Sequence, residues 1–159
     1  RALLEYSREH GIDTFCFGVL AGGFLDERYL GKAQSAPETR SQVKYMQIIE
    51  DSLGWEGMQK LLPVLKEIAD RHGVRIANVA TQYILRQPGV GAVMIGTRNS
   101  RHVDSNVATL NFDLTEEEML TIHDFISRYP TPEGDCYWLE RNSPRYKGII
   151  LTDRTNVEH

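Results

Sequence analysis

Ile12-Asp13-Thr14-Phe15-Cys16-Phe17-Gly18 is a short run dense in β-branched and aromatic residues, with the length of a buried strand. Upstream of it, Ala2 to His10 has a helical pattern in which Ala2, Leu3 and Tyr6 can share a face, and Gly11 follows as a C-terminal stop. A helix, a glycine and a short apolar strand make an αβ connection, the repeating element of a parallel α/β sheet. Directly downstream, Val19-Leu20-Ala21-Gly22-Gly23-Phe24-Leu25 sets two adjacent glycines just past the strand. The backbone there turns sharply or comes close to something. A second short apolar strand is predicted at Val90 to Ile95, ended by Gly96.

Helical periodicity fills the interval. Asp26 to Glu38 is a long polar connection containing Gly31 and Pro37, and loops of that length are often functional. Thr39 to Ile49 reads as a short amphipathic helix with Val43, Met46 and Ile49 on one face. Trp55 to His72 repeats Met58, Leu61, Leu62, Leu65, Ile68 and Ala69 at helical spacing and stops at Gly73. Pro63 lies inside it and predicts a kink or an interrupted start. Ile76 to Gln87 is a further helix, stopped by Pro88-Gly89, and Ser100 to Leu110 another. Thr115-Glu116-Glu117-Glu118 is a capping box, with Leu114 and Met119 placed as its hydrophobic staple, and the buried face continues through Met119, Ile122 and Ile126 to Ser127. From Tyr129 onward Pro130, Pro132, Gly134, Pro144 and Gly148 interrupt the pattern. This part is expected to be an ordered or half-ordered tail lying over another surface, with one short strand at Gly148 to Leu151.

The chain has 159 residues, 41% hydrophobic and 25% charged, which is globular composition for one domain or a piece of a larger one. A formal net charge of −4 argues against a domain built to grip nucleic acid. The two cysteines, Cys16 and Cys136, form no CxxC pair, and the five histidines show no ligand spacing, so no metal is expected and a reducing cytosol is the default. No stretch approaches the roughly 20 apolar residues of a membrane span. The opening RALLEYSREHG has no starting Met and reads as the inside of a helix, which predicts that something upstream is missing.

With the elements in this order, specific residues carry a resemblance. Phe15 to Leu25 resembles the seventh strand and following loop of aldo/keto reductases. Gly91-Ala92-Val93-Met94-Ile95-Gly96-Thr97-Arg98-Asn99 resembles their eighth strand and its phosphate-binding turn. Arg101-His102-Val103-Asp104-Ser105-Asn106 keeps the family's spacing from Gly96 to a helix-borne Asn, and His72-Gly73-Val74 with Ala77-Asn78-Val79-Ala80 is also typical. The resemblance covers residues 1–128, leaving 129–159 as a C-terminal tail. It implies an α/β fold that is a partial (β/α)8 TIM barrel, holding strands 7 and 8 with their flanking helices only. It also implies the cofactor-binding portion of an NADPH-dependent oxidoreductase that reduces an aldehyde or ketone. The family's catalytic Tyr, Lys, Asp and His lie in the first half of the barrel. No match to that half is found, so no catalytic residue is expected in this chain.

The resemblance assigns NADP(H) contacts to Phe17, Gly18, Val19, Leu20, Gly22, Gly23, Gly96, Thr97, Arg98, His102 and Asn106. Phe17 stands where an aromatic ring stacks on the nicotinamide; a buried strand Phe is the plain alternative. Gly18 to Leu20, with Gly22 and Gly23, would lie beside the pyrophosphate, against a turn that needs glycine for geometry alone. Gly96 to Asn99 leads into a helix start whose amides and dipole favour a phosphate, and Arg98 adds a forked donor suited to the 2′-phosphate. His102 stands where many members carry Arg or Gln, and is equally readable as an exposed helix residue. Asn106 corresponds by spacing to the Asn that bonds the adenine edge, against the ordinary fate of a polar helix face. A non-catalytic nucleotide-sensing subunit of the same fold is the alternative function.

Overall fold

The computed structural model of the chain describes residues 2–97, 99–131 and 136–146. Two strands, β1 (Thr14–Phe17) and β2 (Val90–Met94), pair in parallel. Phe15 stands opposite Ala92, Cys16 opposite Val93 and Phe17 opposite Met94, with an irregularity between Thr14 and Phe15. Parallel pairing forces the chain to cross from the end of one strand to the start of the next. The crossover is helical: α2 (Arg40–Asp51), α3 (Gly54–His72) and α4 (Ile76–Leu85). The helix α1 (Ala2–Glu9) precedes β1, while α5 (Arg101–Ala108), α6 (Glu116–Ser127) and α7 (Cys136–Asn142) follow β2.

The core is made by the helices. Met46 and Ile49 of α2, Met58, Leu62, Leu65 and Ile68 of α3, Ile76 and Val79 of α4 and Ile122 of α6 are buried in one cluster with Phe24. The α3 periodicity holds through Pro63, and the helix runs uninterrupted from Gly54 to His72, so the expected broken start is absent. Gly73 ends it at φ 64, a left-handed conformation that returns its amide to the Ala69 and Asp70 carbonyls. Thr39 caps α2 by accepting the Gln42 amide at 3.1 Å. Thr115 and Glu118 close the capping box of α6, and Leu114 is buried beside it.

Two features depart from the sequence reading. The expected buried strand is half-buried on one side and open on the other: Thr14 and Cys16 are half-buried, while Phe15 and Phe17 are exposed, as is Met94. Two strands carry helices along one face, and among the described residues no layer covers the other. Leu3 and Tyr6 of α1 and Val103 and Val107 of α5 are also exposed, with Tyr6 stacked on His10 at 3.9 Å. The tail does lie on another surface, and it does so partly as the unforeseen helix α7. Tyr146 is buried and donates to Asp51 Oδ2 at 2.6 Å, and Arg145 reaches Glu50 at 2.8 Å. Trp138 of α7 is exposed. The strand expected at Gly148 to Leu151 lies outside the described residues.

The long connection after Phe24 is tied down by charge. Arg75 Nη2 bonds Asp26 Oδ2 at 2.9 Å and Glu27 Oε2 at 3.1 Å. The other oxygen of Glu27 accepts the Ile76 amide at 2.6 Å. A carboxylate on the first amide of α4 satisfies a donor the helix cannot pair internally and complements its dipole. The loop that leaves β1 is thereby fixed to the helix that leads into β2.

Candidate functional site

Because Phe17 and Met94 end their strands side by side, the chain leaves both strands at the same end of the sheet. The loop of Gly18 to Gly23 and the loop of Gly96 to Ser100 therefore open onto one region. Gly18, Gly22 and Gly23 sit at φ 73, 67 and 92, and Ala21 between them at φ 48. Ala21 is the only non-glycine with a positive φ among the described residues. Holding an L-residue there costs roughly 1–2 kcal/mol, which the surrounding turn must offset. The turn supplies hydrogen bonds: Ala21 N donates to Gly18 O at 2.9 Å, Gly23 N to Leu20 O at 2.8 Å and Phe24 N to Ala21 O at 3.2 Å. These amides are spent inside the loop itself.

Three side chains that sequence reasoning missed border this loop. Tyr45 of α2 lies against it: a Cβ on Gly18 would collide with the Tyr45 hydroxyl and lie 2.6 Å from its Cζ, and one on Gly22 would lie 3.0 Å from its Cδ2. Lys44 Nζ stands 5.6 Å from the centre of that phenol ring. Arg28 Nη2 donates to the Gly23 carbonyl at 3.3 Å. The signal for Tyr45 and Lys44 was available, since the Val43-Met46-Ile49 face of α2 leaves the adjacent positions to meet whatever flanks the core. Their target was not, because nothing local says that α2 packs on Gly22.

In the second loop, Asn106 Nδ2 donates to Thr97 Oγ1 at 3.1 Å, so these two predicted residues meet directly. Gly96 has open space where a Cβ would point. His102 is half-buried at the start of α5, its amide bonded to the Asn99 carbonyl at 3.0 Å. Val19 and Leu20 are half-buried in the first loop and Phe17 is exposed at its root. Arg98 lies outside the described residues. The donor set at this end of the sheet is two cations, an amide, a hydroxyl, an open glycine and an exposed aromatic ring. That set suits a phosphorylated ligand with a flat aromatic group, and a nicotinamide dinucleotide fits it.

A second polar cluster lies apart from both loops. Glu118 is buried, and accepts from His72 Nε2 at 2.9 Å, Thr115 N at 3.0 Å and Arg71 Nε at 3.2 Å. Burial alone pushes its carboxyl up. The bonds from His72, Thr115 and Arg71 together outweigh that and hold it below the ordinary carboxylate range. A groove of 490 Å³ beside it is lined by Val64, Glu67, Ile68, Arg71, Thr115 and Thr121, among others. This cluster pins the start of α6 to the end of α3.

Two parallel strands joined by a helical crossover, with loops opening at their shared carboxyl end, are the ligand-binding layout of α/β enzymes. The chain belongs to the aldo/keto reductase family, whose model matches residues 1–127. It is 27% identical over 133 residues to the protein tas of Escherichia coli (strain K12), covering 82% of this chain and 37% of that protein. It is 29% identical over 133 residues to an aryl-alcohol dehydrogenase of Pestalotiopsis microspora, covering 82% of this chain and 32% of that enzyme. A crystal structure of a thermostable aldo-keto reductase with the inhibitor epalrestat superposes on 77% of this chain and 33% of its own, at 22% identity and a TM-score of 0.49. The chain thus spans about a third of the length of the curated relatives it matches. No helix among the described residues is long and apolar enough to cross a membrane.

Proposed function

We propose that this chain is the NADP(H)-holding portion of an oxidoreductase that reduces aldehydes or ketones to alcohols, built as the last two strands of a (β/α)8 barrel. The observation that carries the reading is the shared exit of β1 and β2. It brings Phe17 with the Gly18–Gly23 loop, and Gly96 and Thr97 with Asn106 bonded to them through Thr97, out at the same end of the sheet. In a closed barrel that end is where ligands bind, and the loops after strands 7 and 8 are the usual phosphate holders. The bared face of Phe15, Phe17 and Met94 supports the same reading, since further strands closing a barrel would enclose it.

When bound, the reduced nicotinamide supplies a hydride to the carbonyl carbon. The residues here bind and orient. Phe17 offers a flat apolar face at the root of the first loop, and Arg28 and Lys44 set positive charge beside it. Thr97 and His102 flank the second loop for a phosphate, the sequence adds the Arg98 guanidinium to that loop, and Asn106 presents an amide that can both donate and accept. The proton that completes the alcohol comes from groups outside this chain, because none of its residues matches the family's Tyr, Lys, Asp and His set.

The test is a titration of the 159-residue chain with NADPH, followed by the fluorescence of the reduced nicotinamide. Saturable binding that Asn106→Ala weakens is expected. A flat titration up to millimolar NADPH removes the reading.

A further inference from the structure

Gly18 and Gly22 lack side chains on the side where Tyr45 lies: the phenol hydroxyl fills the space of a Gly18 Cβ, and the ring edge comes within 3.0 Å of where a Gly22 Cβ would lie. The ring stretches from Cδ2 at Gly22 to its hydroxyl at Gly18, along the loop assigned to the cofactor's pyrophosphate. The ring thus covers the side of the loop that Gly18 and Gly22 leave bare. We propose that Tyr45 is a removable plug on this loop, and that a dinucleotide diphosphate laid against Gly18 and Gly22 displaces it. The inference rests on the NADP(H) reading above.

The surroundings favour movement of the side chain over movement of its helix. On either side of Tyr45, α2 is held by buried Gln42, Met46 and Ile49, and its end is bonded through Asp51 to Tyr146. The ring is only half-buried and packs on the outside of the core, so a turn about χ1 carries it to solvent while the buried residues of α2 stay in place. Lys44 stands over the ring face as a cation on a π-system. A diphosphate in place of the ring exchanges that contact for an ion pair, which offsets part of the cost of displacement. The plugged loop lowers apparent affinity by the fraction of molecules in which the plug is out.

The experiment uses the full chain grown with 3-fluorotyrosine. It holds seven tyrosines, and the Tyr45 fluorine resonance is assigned by its loss in Tyr45→Phe. NADPH is titrated while fluorine spectra and nicotinamide fluorescence are recorded. The Tyr45 resonance is expected to move toward the position of a tyrosine in the denatured chain, with the others staying in place. Tyr45→Ala is expected to bind NADPH about fivefold more tightly, and Tyr45→Phe close to the unmutated chain. Saturable binding with an unmoved Tyr45 resonance, or weaker binding by Tyr45→Ala, overturns the plug and leaves the cofactor reading standing. No binding by either chain overturns the cofactor reading, and the plug with it. The fluorine shift is read on the unmutated chain, so it decides even where Tyr45→Ala fails to fold.

Discussion

Phe17 and Met94 face each other across the parallel ladder, and each is about half exposed, at 50% and 54%. Phe15, two residues back on the same face, is 61% exposed. Side chains two apart on a strand share a face, so these residues form one continuous apolar strip that no layer of the described residues covers. Strips of this kind drive association in water. The chain is therefore expected to self-associate as its concentration rises, and the double change Phe15→Ser with Met94→Ser is expected to suppress this. Sedimentation velocity over a concentration series measures it; a single monomeric boundary for the unmutated chain at every concentration contradicts it.

Glu27 ties the connection after β1 to α4 through one charge-assisted bond from the Ile76 amide and two from Arg75, through Nε and Nη2. Removing it leaves that helix-start amide without its acceptor and Arg75 with Asp26 alone. A hydrogen bond to a charged group contributes about 1.5–3 kcal/mol, and the partial exposure of this pair points to the lower end. Glu27→Ala is expected to lower unfolding free energy by about 1–2 kcal/mol, read as a shift of the urea midpoint at constant slope. An unchanged midpoint would show that the loop is held by packing instead.

Glu118 gives the fold an acid limit whose sign is fixed. Its folded carboxyl titrates lower than the unfolded one, because the His72, Thr115 and Arg71 bonds outweigh burial. Between the two values the unfolded chain binds more protons, so stability rises with pH there. The contribution is fully present above the unfolded value, about 4.3, and is lost as pH falls through the depressed folded value. Urea midpoints measured from neutral pH into acid are expected to fall in that window, and Glu118→Gln is expected to be less stable at neutral pH and to show a shallower fall. An equally steep fall in Glu118→Gln assigns the acid sensitivity to other carboxylates.

Local signals in the sequence located the elements well. Gly73 as the stop of α3, the Thr115–Glu118 box and the two short strands follow from backbone chemistry within a few residues, and each is in place. Composition signals for burial misled at Phe15, Phe17, Leu3 and Tyr6, because burial depends on what covers a face and not on the residue alone. Within the site, Asn106 meeting Thr97 follows from one loop and one helix turn, so spacing sufficed. The Tyr45 seat on Gly18 and Gly22 joins segments that only tertiary packing brings together, and no local pattern announces it. Arg75 is the partner of both Asp26 and Glu27, which lie almost fifty residues away in the chain, so no local pattern pairs them.

Arg98 offers the sharpest separation between a cofactor grip and a solvent-facing side chain. NADPH and NADH differ only in the 2′-phosphate, so a residue that holds that group affects one ligand and spares the other. A permanently charged guanidinium against a phosphate is also screened by salt, whereas stacking on Phe17 or a bond to Asn106 is nearly indifferent to it. Arg98→Ala is thus expected to weaken NADPH binding about tenfold at low salt, to leave NADH binding within about twofold, and to flatten the salt dependence of the NADPH affinity. Asn106→Ala is expected to weaken both cofactors alike, since the adenine edge is common to them. Fluorescence titrations of both nucleotides at two salt concentrations separate these outcomes. Equal losses for NADPH and NADH in Arg98→Ala would mean that Arg98 acts on the shared diphosphate or on the loop's own shape, and the 2′-phosphate would then fall to His102 or Arg101.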